Sequence, residues 1–185
     1  MALVLVKEDG TGKSTANSYA SVTDADAYHE GHLYPQAWDA ATTEQKTAAL
    51  VMATRVIDAE YQFNGVKSSS NQALQWPRAL CLDPDSQSVR ITPLLGMRGA
   101  YVPSNVVPRA LVDAACEMAR ELLIVDRTAA PLGEGIAKQH NADYSETVYS
   151  KPDTRKIMTQ LAQAMLRKYG CMFSATSGVV RLVRV

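Results

Sequence analysis

The sequence predicts a small, mainly α-helical domain of three to four helices, carrying a β-hairpin, a long loop and an extended C-terminal arm. Three observations lead there. Apolar residues recur every three or four positions behind capping signals in two long stretches. Between those stretches, Pro77, Pro84, Pro93, Gly96 and Gly99 break up any regular element. The last seven residues, 179–185, are rich in valine around Arg181 and Arg184, and read as a strand or extended arm. At 185 residues the chain fits one domain with a sizeable core, and its 46% hydrophobic content is that of an ordinary globular protein. The expected division is a helical domain over residues 1–175 and the arm over 176–185.

Taken in order, the first helix opens at Ser21, whose hydroxyl can cap it, with Asp24 three residues on near the positive end of the helix dipole. Gly31 and Pro35 crowd its end near His32, and Trp38 falls in a short turn-like element. Thr42 and Gln45 form a capping box for the second helix, whose expected apolar stripe is Ala48, Val51, Met52, Val56 and Ala59. Residues 63–99 read as an irregular excursion with a short strand near residues 89–91; Pro77 holds Trp76 extended. Ser104 or Asn105 is expected to cap the core helix, with Pro108 in its first turn and a stripe of Leu111, Ala114 or Ala115, Met118, Leu122 and Val125. Residues 136–149 read as a strand or hairpin. A last helix should open at Ser150 or Asp153, with Ile157, Leu161, Met165 and Tyr169 on one face and Gly170 closing it.

Formal net charge is zero, which argues against a general nucleic-acid coat, but the charges are segregated. Residues 151–185 hold seven Lys and Arg against one Asp, and residues 1–150 hold twelve against eighteen. A basic tail of this kind seeks an acidic partner, whether protein or nucleic acid. The twelve aromatic residues are spread along the chain, and only Lys168, Tyr169 and Phe173 interleave cations with rings as a single-strand binder requires. Cys81, Cys116 and Cys171 are widely spaced without a C-x-x-C, so reduced thiols and a cytosolic origin are expected. No apolar run approaches membrane-spanning length, and the first six residues lack the basic lead-in of a secretion signal.

Residues 8–14 nearly spell a phosphate loop. Gly12, Lys13 and Ser14 match its end, but Lys7 stands where the first glycine must be, and no long apolar helix opens at Lys13. Asp26, His29 and His32 have a spacing that could gather metal ligands on one helix face, yet no third strong ligand is fixed; Cys116 sits on the core helix as a small buried hydrophobe. Neither a G-x-S-x-G, an H-E-x-x-H nor a paired-carboxylate constellation occurs. The expectation is a protein without catalytic residues, cofactor or metal.

A series of short motifs carries a family resemblance. It comprises E-D-G-T-G at residues 8–12, A-N-S-Y at 16–19 with Ser21, Ala25-Asp26 and Tyr28, then L-x-W-P-R at 74–78, and Val102-Pro103 followed by Val107-Pro108 and a helix. The series resembles small tailed-bacteriophage proteins labelled DnaT-like single-stranded-DNA-binding proteins, which are similar to head-tail connector proteins. That resemblance implies a structural role: a closed ring of about a dozen subunits beneath the portal, in the neck of the virion. Its partners would be the portal, the next tail or neck component, and the packaged double-stranded DNA passing through. On this reading Arg155, Lys156, Arg167, Lys168, Arg181 and Arg184 are candidates for docking on the portal, and Trp76 and Arg78 for the contact between subunits. The alternative is a single-stranded-DNA-binding protein of phage replication.

Overall fold

Local capping chemistry sets the first two helical boundaries in the computed structural model, which describes residues 3–85, 101–129, 138–140, 146–148 and 156–173. Ser21 and Asp24 close a reciprocal capping box at the start of α1 (Val22–Glu30), and Gly31 ends it. The turn-like element around Trp38 is a single helical turn, α2 (Gln36–Asp39). Thr42 and Gln45 form the second box, opening α3 (Thr43–Glu60), which runs straight into β1 (Tyr61–Phe63). Next come β2 (Val66–Lys67), β3 (Arg78–Ala79), α4 (Arg109–Ile124), β4 (Lys138–His140), β5 (Glu146–Val148), α5 (Gln160–Leu166) and β6 (Gly170–Met172). The protein is a mainly helical small domain with five helices among the described residues.

Helices α3 and α4 form the central pair, with α5 and α1 laid against α4. Ala49 and Ala53 on α3 and Ala114, Ala115 and Ala119 on α4 are buried, and side chains this small let the two backbones approach closely. Leu50, Ile57, Leu111, Met118, Met158 and Leu166 fill the remaining interior. The described residues also form three antiparallel ribbons. β4 pairs with β5 as the hairpin expected within residues 136–149, β2 pairs with β3, and β1 pairs with β6. The last joins chain segments far apart in sequence, with Tyr61 opposite Met172 and Phe63 opposite Gly170. A Cβ on Gly170 would lie 2.2 Å from the carbonyl oxygen of Gln62, so only glycine permits this approach.

Several expectations need correction. On α3, Ala48 and Ala59 are exposed, and the buried arc is instead Thr47, Ala49, Leu50, Val51, Ala53, Thr54, Val56 and Ile57. The helix is covered by α1 as well as α4, so its buried arc is wider than one stripe and admits threonines that hydropathy does not flag. The Thr54 hydroxyl accepts from the Tyr19 amide at 3.3 Å. Helix α4 starts after Pro108 rather than at Ser104 or Asn105, because Pro108 is extended and residues 103–106 close a separate turn. Helix α5 starts at Thr159, whose hydroxyl accepts from the Ala162 amide at 3.1 Å. It buries Ala162 and Leu166 behind Met158, and Leu161, expected on the inner face, is exposed. Residues 89–91 and the arm at 176–185 lie outside the described residues.

Candidate functional site

The β1–β6 ribbon is where exposed aromatic, cationic and amide groups converge. Two chain directions build it. The C-terminal end of α3 passes directly into β1, and α5 turns through Arg167, Lys168 and Tyr169 into β6. The ribbon is stitched at both ends: the Phe173 amide donates to the Glu60 carbonyl, and the Asn64 amide to the Tyr169 carbonyl, each at 2.9 Å. The Tyr61 hydroxyl donates to the Gly170 carbonyl at 3.0 Å and is thereby spent. A depression of about 380 Å³ flanks one side, lined by Gln160, Gln163, Arg167 and Cys171. A second, of about 280 Å³, is lined by Asp58, Gln62, Gln75, Arg78 and Phe173. Tyr61 lines both, so the two depressions adjoin the same strand.

Phe173 is 57% exposed on this surface. Arg167 is exposed and has no carboxylate partner among the described residues. Lys168 reaches Asp85 at 3.2 Å, but both side chains are well exposed, so the pair contributes little and exchanges readily. Lys67 lies opposite Arg78 in the β2–β3 register, and its charge is felt by Asp58 at the base of the second depression.

That base is rigid. The Tyr19 hydroxyl donates to Asp58 Oδ1 at 2.5 Å and accepts from the amides of Gln75 and Trp76, at 3.1 and 3.3 Å. The Gln75 amide also donates to Asp58 Oδ2 at 3.1 Å. Burial pushes the Asp58 carboxyl up to about 6, against the pull of the Tyr19 and Gln75 donors. Arg78 donates to the carbonyls of Asn64, Gly65 and Gln75 and to the Gln75 side chain, at 2.7–3.1 Å. The guanidinium is a brace that ties the loop after the Trp76-Pro77 cis peptide to the loop after β1.

The residues singled out in the sequence scatter accordingly. Trp76 is fully buried and Arg78 nearly so, its guanidinium reaching only the edge of the second depression. Arg167 and Lys168 stand together in the turn that leads into β6, and Lys156 is exposed just ahead of α5. Arg155, Arg181 and Arg184 lie outside the described residues. His29 is buried against Trp38, His32 points to Glu117 at 3.4 Å, and Asp26 is bound by Trp38 and Lys46, so these three do not converge on one point. Among the described residues, no cluster of three or more His, Cys, Asp or Glu is placed to hold a metal ion, and no helix is long and apolar enough to cross a membrane. Cys81 and Cys116 are buried, and Cys171 is exposed on β6.

The near-phosphate loop has a specific explanation. The amides of Gly10, Gly12 and Lys13 converge, at 2.8–2.9 Å, on the carboxylate of the fully buried Glu8. Both glycines adopt positive φ, +101° and +73°, to turn these donors inward. The loop is an anion nest that holds its own anion, so it is closed to a phosphate. Sequence reasoning saw the glycines but not the carboxylate, although Glu8 stands just ahead of them.

Chemically, the ribbon surface suits a flexible anionic polymer with flat rings: Phe173 offers a stacking face, Arg167 and Lys168 offer cations, and glutamines offer amides. The whole chain, residues 1–185, matches the model of a family described as "Putative DnaT-like ssDNA binding protein". No curated protein and no solved structure matches. This finding overturns the connector reading. A ring beneath the portal, docking on portal and neck proteins, passage of packaged double-stranded DNA and a place in the virion neck have no support; the match favours the single-strand alternative. The motif series pointed to the right family label and the wrong role, because short motifs shared between families carry fold rather than function.

Proposed function

The chain belongs to the DnaT-like ssDNA-binding family, and on that premise we propose that it binds single-stranded DNA along the β1–β6 ribbon, without catalysis. The observation that carries this is an exposed Phe173 and an unpartnered Arg167 placed just after and just before β6, against the two-stranded ribbon. A base stacks on Phe173. The flanking phosphates meet Arg167 and Lys168, and Lys168 exchanges Asp85 for phosphate. Base stacking on an aromatic side chain contributes about 1–3 kcal/mol and is tolerant of sequence. The Gln62 and Gln163 amides line the two depressions on either side and can bond base edges.

Zero net charge fits a local groove better than a general coat, since only cations that touch phosphates release counterions. Fluorescence anisotropy with a labelled oligothymidylate, repeated across salt concentrations, tests the proposal. Phe173→Ala should weaken binding about 5- to 100-fold at fixed salt, and Arg167→Ala should reduce the log–log salt slope by about 0.7. Binding that is unchanged in both variants would remove the ribbon as the site.

A further inference from the structure

A second, acidic depression lies at the other end of α3. It measures about 430 Å³ and is lined by Asp26, His29, Glu30, Trp38, Asp39 and Lys46. Three carboxylates face one ammonium there. Lys46 Nζ sits 2.9 Å from Asp26 Oδ1 and 5.0 Å from the centre of the Trp38 ring, and Trp38 Nε1 donates to the same oxygen at 2.7 Å. The chain's own lysine thus demonstrates that the depression takes a cation by charge and by ring face together. Glu30 and Asp39 have no ionic partner among the described residues. Glu30 also ends α1, where the helix dipole adds to the negative potential.

His29 supplies an independent sign. It is 1% exposed, it lines this depression, and neither ring nitrogen makes a well-formed hydrogen bond, although the Cys116 backbone stands close enough to act on the ring. Burial, reinforced by the neighbouring His32, holds it down at about 4 against the pull of the Cys116 carbonyl and Glu117, so near neutral pH the ring is uncharged. Tyr28 from α1, His32 from the turn after it, and Glu117 and Arg120 from α4 surround it. A buried neutral imidazole with an unused lone pair, beside unpaired carboxylates, calls for a donor that is also a cation.

We infer that this depression is a receptor for an arginine side chain of a protein partner. The fork of five donors can pair with more than one carboxylate of the depression, which the single ammonium of Lys46 does not. The depression and the ribbon lie at opposite ends of α3: Lys46 and Glu60 are about 21 Å apart along the axis at 1.5 Å per residue. Negative charge at one end repels DNA, so the protein partner and the strand occupy separate ends.

The test needs no DNA, so its outcome is independent of the ribbon proposal. Full-length protein labelled with ¹⁵N is titrated with N-acetyl-arginine amide, and with N-acetyl-glutamine amide as the neutral control, while the Trp38 indole N–H signal is followed. A saturable shift with the arginine probe alone is expected. In the Glu30→Gln/Asp39→Asn double variant, whose changes are at exposed positions, apparent affinity should fall about tenfold. His29→Phe should weaken it as well, with the Trp76 indole signal showing that the fold is kept. No saturable shift, an equal response to the neutral probe, or a double variant indistinguishable from the parent would each overturn the inference.

Discussion

Two buried groups should titrate against each other, and removing either one exposes the other. Asp58 has an ordinary value of 3.8 and is pushed up to about 6 by burial. Folding therefore favours its protonated form: the contribution is complete below the unfolded value and is lost as pH rises through 6. His29 has an ordinary value of 6.5 and is pushed down to about 4 by burial. Folding favours its neutral form: this contribution is complete above 6.5 and is lost as pH falls through 4. Between pH 4 and 6 the two slopes oppose each other, and each integrates to about 2 kcal/mol at 1.36 kcal/mol per pKa unit. The assay is urea denaturation at half-unit steps from pH 4 to 7, for the parent, Asp58→Asn and His29→Phe. Relative to the parent, Asp58→Asn should gain about 2 kcal/mol of unfolding free energy as pH rises from 4 to 6, and His29→Phe should lose about as much. The other carboxylates cancel in these differences. Variant curves that run parallel to the parent's would refute the reasoning, because they would mean that neither group changes its proton affinity on folding.

Two further expectations follow from the geometry. Gly10→Ala places a Cβ 1.9 Å from the Asn105 carbonyl oxygen at a backbone φ of +101°, so it should cost about 2 kcal/mol or more in a denaturant melt; a loss below about 0.5 kcal/mol would show that the loop shifts freely. Cys171 is the exposed thiol on the ribbon and lines the Arg167 depression, so bound oligothymidylate should slow its reaction with a chromogenic disulfide several-fold, and an unchanged rate would place the strand elsewhere.

What was legible in the sequence was local. Ser21 with Asp24 and Thr42 with Gln45 announce their helices because a capping box lies within four residues. Tyr61 gives no sign of its pairing with Met172, because strand pairing over such a separation is decided by the packed core. The register of α5 was misread by one position: Ala162 and Leu166 are inner, and Leu161 is outer. Apolar residues at 157, 161 and 165 made an equally periodic stripe, and only the contact with α4 selects between them. The run from Lys168 to Phe173 stood out as interleaved cations and rings, and it is half of the ribbon surface. The other half, Asp58 with Gln75, was invisible because Tyr19 joins them from a distant segment.

The carboxylate that Glu8 lends to the Gly10–Gly12–Lys13 amides changes how the protein meets its chemical surroundings. Because the anion is tethered to the loop it fills, its effective concentration there is fixed by chain geometry and is in the millimolar range or above. A dissolved phosphate or nucleoside triphosphate would have to displace it and leave a charged, fully buried side chain without partners. Swings in the nucleotide pool therefore pass this loop by.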